Sequence, residues 1–114
     1  MKVVYVAGPY TAPTVWEIEC NVRRAEEAGL YVVECGAMPI IPHTNTRFFH
    51  GLKTPEFWYE GTLELLKRSD AILLIPGWES SRGAVNERQW ALDNDLEVFH
   101  LGKDHRQFEK WAAA

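Results

Sequence analysis

Cysteine is scarce in this sequence, with Cys20 and Cys35 the only two among 114 residues. Both lie in a stretch whose pattern predicts one long helix, in which a separation of fifteen residues corresponds to about 22 Å at the rise of an α-helix. A disulfide needs Cα atoms within roughly 7 Å of each other. We therefore expect two free thiols, which is typical of a protein that functions in a reducing cytoplasm.

Long apolar runs and an excess of positive charge are also missing. No stretch approaches the roughly 20 apolar residues that a membrane-spanning helix needs. The N-terminus enters a strand pattern at once, so we expect neither a membrane segment nor a signal peptide. The net charge is −4 and the basic residues are scattered, whereas a protein that binds a nucleic-acid backbone needs a positive stripe. The predicted partners therefore include neither a membrane nor a nucleic acid.

Cofactor and metal motifs are missing as well. The sequence has no Walker loop and no G-x-G-x-x-G segment. Its four histidines do not have the spacing of metal ligands, so we expect neither a cofactor nor a metal ion. His43 follows a predicted strand end and is a candidate for contact with a ligand. We expect the other three, His50, His100 and His105, at the surface.

What the sequence does have is enough apolar material for one core. Hydrophobic residues make up 46% of the chain, which is ordinary for a globular protein, and the length corresponds to one domain over residues 1–114. A domain of this size gains from burying further surface in an assembly. Five tryptophans are many for this length. We expect some of them to contact ligand or partner chains, as in a homodimer or homotetramer.

Four short apolar runs alternate with helical patterns along the chain. Continuous apolar residues bounded by turns predict buried strands over Lys2–Ala7, Met38–Ile41, Ala71–Ile75 and Leu96–Leu101. Apolar spacings of three and four, with caps, predict helices over Val15–Cys35, Pro55–Arg68, Arg82–Asn94 and Asp104–Trp111, and residues 44–53 a loop. This alternation is typical of a parallel sheet joined by right-handed crossovers. The predicted fold is a single α/β domain of the flavodoxin or Rossmann type. It has a four- to five-stranded parallel sheet with strand one central and helices on both faces.

The carboxyl ends of these strands carry the candidate binding residues, because ligands of open α/β sheets bind there. The candidates are Gly8, Pro9, Tyr10, His43, Ser81, Arg82 and Gly83. The last three begin a helix, whose free N–H groups and positive dipole end suit an anion or a polyol. An ordinary serine N-cap would give the same pattern.

Two further residues are candidates for chemistry. Glu87, in the second turn of that helix, falls at the edge of the apolar stripe, so a partly buried carboxylate there is a candidate nucleophile or base. A solvated helix glutamate is the alternative. Tyr5 lies inside the first strand, where a buried hydroxyl needs a partner, either a carboxylate on the adjacent helix or the backbone.

We expect Tyr5 and Glu87 to be hydrogen-bonded to each other, beside Gly8 and Ser81. Burial should raise the pKa of Glu87, and the tyrosine should pull it back so that the carboxylate stays ionised at pH 7. Gly8 is expected to leave room for the sugar of a ligand. Arg88 lies nearer the centre of the apolar stripe, and a subunit contact is one explanation.

Three segments, in this order, resemble the nucleoside 2-deoxyribosyltransferase superfamily, near the deoxynucleoside-monophosphate N-glycosidases. They are Tyr5–Tyr10 (YVAGPY), Ser69–Leu74 (SDAILL) and Ser81–Glu87 (SRGAVNE), the last followed by alanine at 91. The similarity spans roughly residues 3–101. The stretch P-G-W-x-x-S-x-G-A, at residues 76–84, is similar to a segment of a bacterial and phage branch of this superfamily.

The resemblance implies cleavage of an N-glycosidic bond, or transfer of a (deoxy)ribosyl group, on a nucleoside or nucleoside 5′-monophosphate. Glu87 falls on the family's nucleophile, which attacks the anomeric carbon, and Tyr5 on the tyrosine that orients it. A covalent glycosyl-enzyme would form and pass the sugar to water or to another base, as in retaining glycosidases. Ser81 falls on the phosphate-binding serine of the monophosphate hydrolases, which favours a 5′-phosphate.

The sequence departs from the family where a second, catalytic aspartate is expected. Thr62 stands at that position, flanked by Glu60 and Glu64, either of which is a candidate replacement. Asp70 sits at the opposite, N-terminal end of its strand, so we expect it to be structural. The alternative function is a non-catalytic nucleotide-binding or sensing domain, since one fold hosts many functions. Whether Glu60 or Glu64 reaches the site distinguishes the two hypotheses.

Overall fold

Strands and helices alternate along the chain, and the computed structural model describes all residues from 1 to 114. The strands are β1 (Val3–Ala7), β2 (Met38–Ile40), β3 (Ala71–Leu74) and β4 (Glu97–His100). The α-helices are α1 (Val15–Glu34), α2 (Pro42–Asn45), α3 (Pro55–Lys67), α4 (Arg82–Asp93) and α5 (His105–Ala113). A 3₁₀ turn covers Trp78–Ser80. None of the helices is both long and apolar enough to span a membrane.

The four strands form one parallel sheet in the order β2-β1-β3-β4. Tyr5 of β1 lies in register with Ile40 of β2 on one side and with Ile72 of β3 on the other. The two central strands, β1 and β3, are almost entirely buried, as continuous apolar strands of a parallel sheet should be. The predicted parallel α/β sheet with strand one in the interior is confirmed.

Helices cover both faces of the sheet, because successive residues of a strand point to opposite sides. On one face, Val4 and Val6 pack with residues of α1 and α5 in an apolar cluster of 12 buried residues. On the other face, Tyr5 and Ala7 pack with residues of α3 and α4 in a cluster of 7. We refer to these as the α1/α5 face and the α3/α4 face.

The ends of the helices follow from local sequence. Thr14, Thr54 and Ser81 are N-caps, and the side chain of each accepts a hydrogen bond from the backbone N–H three residues later. Such caps satisfy donors that have no partner within the helix. Beyond α1, Gly36 has a φ of +93°, in the left-handed region that favours glycine and ends a helix.

The connection after β2 differs from the sequence prediction. The strand ends at Ile40, and Pro42 begins a single helical turn, α2, where the sequence predicts the end of a strand and then a loop. Proline suits the first helical position, and the Thr44 hydroxyl donates to the Ile41 carbonyl over 3.1 Å. The turn is therefore stabilised by its own residues. The other helix and strand boundaries differ from prediction by one or two residues, and both cysteines are free, as predicted.

Candidate active site

A cavity of about 840 Å³ opens at the carboxyl edge of the sheet, where β1, β2 and β3 end. Its volume is typical of a small-molecule site. The residues that the sequence predicts for the site all lie on its walls: Tyr5, Gly8, Pro9, Tyr10, His43, Ser81, Arg82, Gly83 and Glu87. Parallel strands explain this gathering, since their carboxyl ends meet at one edge.

A tyrosine–carboxylate pair joins β1 to α4 in this cavity. Tyr5 is 1% exposed, and its hydroxyl donates a hydrogen bond to Oε2 of Glu87. Ala84 and Ala91, one turn before and one turn after Glu87, are buried in the α3/α4 face, which turns this edge of α4 toward β1. The predicted contact is present, and its chemical role is taken up as a proposal.

The surroundings of the pair raise the pKa of both side chains. Burial raises the pKa of Glu87 to about 7, although hydrogen bonding by Tyr5 and by Thr62 acts in the opposite direction. Burial, together with the negative charge of Glu87, also raises the pKa of Tyr5. The expectation that the tyrosine keeps the carboxylate ionised at pH 7 is therefore wrong in degree, because desolvation outweighs the hydrogen bond. Near pH 7 both forms of Glu87 are populated.

Gly8 serves a different neighbour from the one expected. A Cβ built on Gly8 would lie 2.3 Å from Cγ1 and 2.6 Å from Cδ1 of Ile75, far inside van der Waals contact. The missing side chain therefore makes room for Ile75 at the neighbouring strand end, and Gly8 also lies on the cavity wall. At Gly83 the nearest atom to such a Cβ is Cε1 of Tyr59, at 3.4 Å, an ordinary van der Waals contact, so a methyl group would fit there.

Positive charge and a helix N-terminus contribute to one part of the wall. Ser81 Oγ accepts from the Ala84 N–H over 3.2 Å, so the serine is an N-cap whose own O–H has no partner. Arg82 and Lys53 also lie on the wall, are exposed, and form no salt bridge. The two interpretations of Ser81 are thus compatible, because a capping serine can also donate to an anion.

His43 is a wall residue that holds the loop after β1. It is 6% exposed, and its Nε2 lies 2.9 Å from the carbonyl oxygen of Pro9, which can only accept. Nε2 therefore carries the proton, and Nδ1, which is buried, has no partner. Burial also lowers the pKa of His43. The imidazole is neutral, and it positions the segment that leads to Tyr10, whose ring centroid lies 5.9 Å from its own.

Several wall residues escape the sequence prediction. The walls also include His50 and Lys53 from the long connection between α2 and α3, and Trp58, Tyr59 and Thr62 from α3. A connection at the carboxyl edge of a sheet with no periodicity of its own is a signal for a binding loop. The α3 residues carry no such signal, since only packing decides which side of a helix faces a cavity.

Neither flanking glutamate replaces the aspartate that the resemblance leads one to expect at Thr62. Glu64 lies 3.8 Å from the ammonium of Lys67 and 3.7 Å from Nε of Arg68, on the exposed side of α3. Glu60 is also exposed, and neither residue belongs to the cavity wall. Thr62 itself lies on the wall, so Glu87 is the only acidic side chain there.

Three other residues have structural roles. Asp70 accepts a hydrogen bond from the Val3 N–H over 2.8 Å at the far end of the sheet, consistent with the structural role predicted for it. Arg88 needs no subunit contact. Its Nε donates to Nε2 of His100 over 3.1 Å, and its guanidinium lies 4.9 Å from the ring centroid of Trp78. His100 is accordingly half-buried, which corrects its predicted surface location.

Taken together, the cavity offers one carboxylate of raised pKa, three aromatic side chains besides Tyr5, and two cations that form no salt bridge. No group of three or more His, Cys, Asp or Glu side chains is arranged to hold a metal ion. The arrangement suits a small polar ligand with an anionic end, held against aromatic rings beside a nucleophilic or basic carboxylate.

Comparison with known families gives one match. The model of a family described as a domain of unknown function (DUF4406) matches residues 2–100, which include every residue of the cavity wall. No curated protein matches the chain.

Proposed function

We propose a function for this chain, which belongs to the DUF4406 family. It cleaves the N-glycosidic bond of a nucleoside or nucleoside 5′-monophosphate, or transfers the (deoxy)ribosyl group to another base. The single observation that carries this proposal is the hydrogen bond from Tyr5 to Glu87 at the bottom of a nucleotide-sized cavity. It is supported by the resemblance to the nucleoside 2-deoxyribosyltransferases, in which Glu87 falls on the nucleophile and Tyr5 on the tyrosine that orients it.

In the proposed reaction, a carboxylate oxygen of Glu87 attacks the anomeric carbon while the bond to the base breaks. The glycosyl ester that forms is then opened by water, or by a second base, which restores the carboxylate. The Tyr5 hydroxyl holds the attacking group in one orientation. A 5′-phosphate would find the Ser81 hydroxyl, the N-terminus of α4 and the charges of Arg82 and Lys53.

The test is release of base from a panel of nucleosides and nucleoside 5′-monophosphates, followed by chromatography. Glu87→Ala should abolish release while leaving the fold intact, because it removes the nucleophile. Tyr5→Phe should slow release by a smaller factor, because it removes orientation alone. Glu97→Gln is the matched control, an exposed carboxylate on β4 at the opposite edge of the sheet. Release that survives Glu87→Ala would refute the proposal.

A non-catalytic nucleotide-binding or sensing domain is the second candidate function. It is favoured by one observation, the absence of a second acidic group from the wall, where Thr62 stands and Glu60 and Glu64 point elsewhere. Calorimetric titration with the same panel distinguishes the candidates. Binding without any release of base, by the wild type and by Glu87→Ala alike, would support the sensing function.

We further propose a homodimer or homotetramer in the cytoplasm. The support is the set of large apolar side chains left exposed on one chain, among them Trp16, Phe48, Phe57 and Leu52, and the two free thiols. Light scattering at micromolar concentration should give a multiple of 13.1 kDa. A monomer mass would refute the assembly.

A further inference from the structure

The cavity holds one acidic side chain where cleavage of an ordinary nucleoside requires two functions. A neutral base departs as an anion unless a proton reaches it, so the usual two-carboxyl arrangement pairs a nucleophile with an acid. Here Glu87 is the only Asp or Glu on the wall, and Glu60 and Glu64 lie on the exposed side of α3. Glu87 cannot serve both functions in the same step, because a nucleophile must be ionised and an acid protonated.

The remaining wall groups that carry protons are poorly suited to supply one. The Tyr5 hydroxyl is committed to Glu87, and burial raises its pKa, so it retains its proton. His43 is buried, its pKa is lowered, and its Nε2 proton is donated to the Pro9 carbonyl. Four exposed groups remain, namely His50, Lys53 and the hydroxyls of Tyr10 and Tyr59.

The walls suit a positively charged ring. Trp58, Tyr59 and Tyr10 all line the cavity, and the faces of aromatic rings attract cations, tryptophan most strongly. Glu87 adds a negative charge on the same wall when it is ionised. The unpaired cations Arg82 and Lys53 remain available for a phosphate.

We infer that the substrate carries its positive charge on the base before the bond breaks, as in a pyridinium nucleotide or an N7-alkylated purine nucleotide. This inference rests on the proposed function and names its substrate class. The bonding pair of the C1′–N bond passes to the ring nitrogen, which becomes neutral and leaves without a proton. Glu87 forms the bond to C1′, and water then opens the ester. The products are the free sugar phosphate, the neutral base and one proton released to solvent.

The experiment uses two nucleotides that differ by one methyl group, 7-methylguanosine 5′-monophosphate and guanosine 5′-monophosphate, together with nicotinamide mononucleotide. Ribo and 2′-deoxyribo forms are both assayed. The expected result is a kcat/KM for the two cationic substrates at least about 100-fold above that for the neutral one, since general acid catalysis contributes roughly 10²–10⁴-fold. Cleavage of nicotinamide mononucleotide should release one proton per turnover, followed with an indicator dye.

The pH profile supplies a second readout. With nicotinamide mononucleotide, whose ring charge does not titrate, the rate of a reaction that needs only the ionised carboxylate should rise through pH values near 7, where Glu87 titrates, and then stay level. A protein-derived acid would make the profile bell-shaped. If His50→Asn, Lys53→Met, Tyr10→Phe or Tyr59→Phe removed a falling limb at high pH, the residue replaced would be the acid, and the inference would be overturned.

The outcomes separate this inference from the function on which it rests. If guanosine 5′-monophosphate or another neutral nucleotide is cleaved within tenfold of the cationic ones, and Glu87→Ala is inactive, the proposed function stands and the inference fails. If no substrate of either class loses its base, the proposed function itself is refuted and the inference falls with it.

Discussion

The two faces of the sheet differ in what their alternate residues do. On the α1/α5 face, Val4 and Val6 enter a continuous apolar cluster of 12 buried residues that includes Phe99 and Phe108. On the α3/α4 face the cluster has only 7, and Tyr5 is its largest member. At the carboxyl edge of that face, a hydroxyl and a carboxylate occupy the end of the core.

Most of the apolar packing lies on the α1/α5 face, whereas part of the α3/α4 face is occupied by the polar pair of Tyr5 and Glu87. A buried carboxylate of raised pKa is costly in free energy when ionised, so the α3/α4 face is less stable than its area alone would suggest. The α1/α5 face has the larger apolar cluster, in which the rings of Phe99, Phe108 and Trp111 contact one another. Substitutions on the two faces should therefore differ in their effects on stability.

Phe108→Ala should have the largest effect on folding. The ring is 1% exposed and packs edge-on against Phe99, with centroids 5.3 Å apart, and near Trp111. Removing it should lower the free energy of unfolding by about 3–5 kcal/mol, measured by urea denaturation. The pKa of Glu87, followed by NMR, should stay unchanged, because the other face is untouched. A loss below about 1 kcal/mol would mean that the α1/α5 face does not dominate stability.

Glu87→Gln should make the protein more stable at pH 8, by up to about 3 kcal/mol. The carboxyl has a pKa of 4.5 in its ordinary state and about 7 in the fold. Between these values the native state keeps a proton that the unfolded chain has lost, so stability of the wild type falls as pH rises. Glutamine cannot ionise, so the advantage should disappear near pH 4. Denaturation curves across this range decide the point, and equal stabilities at pH 8 would contradict the raised pKa.

Gly8→Ala should lower the free energy of unfolding by about 1–3 kcal/mol, because the new methyl group would overlap Ile75. In the double variant with Ile75→Ala, much of this cost should be relieved, since the overlapping atoms are gone. A double-mutant cycle measures the coupling. If the two effects simply added, the close approach of β1 and β3 would not explain this glycine.

Asp104→Asn should have the smallest effect, about 1 kcal/mol at pH 7. The Asp104 carboxylate accepts from the His100 backbone N–H over 2.7 Å at the start of α5, and this bond lowers its pKa. The stabilisation is present above the ordinary carboxyl pKa and is lost as pH falls through the lowered one. Wild type and variant should therefore converge in acid, as seen in thermal melts. A constant difference at all pH values would mean that packing, not charge, is responsible.

Much of the fold could be predicted from the sequence because its signals are local. The β1 and β3 strands are unbroken apolar runs, and Thr54-Pro55 and Ser81 begin their helices with recognisable caps. The single turn of α2 is not predicted by the sequence, since four residues give no periodicity. Tyr5 and Glu87 were expected to meet, because each was an anomaly of its element, a hydroxyl in a buried strand and a carboxylate at an apolar edge.

Other properties of the site needed the packed structure. The sequence predicts that Gly8 leaves room for a ligand, whereas a side chain there would overlap Ile75, which follows β3. Arg88 lacked a partner until β4 brought His100 beside α4. The degree to which burial raises the pKa of Glu87 depends on how α3 and α4 close over it, and no spacing in the sequence reports that.

The sequence is enough to predict the alternation of strands and helices, the parallel sheet, the edge at which the cavity opens and the contact between Tyr5 and Glu87. These follow from periodicity, caps and the rule that parallel strands end together. Packing of α3 fixes that Glu60 and Glu64 face solvent and that Trp58, Tyr59 and Thr62 face the cavity. The reason is physical: the rotation of a helix about its axis is fixed by the side chains it packs against, and those come from distant parts of the chain.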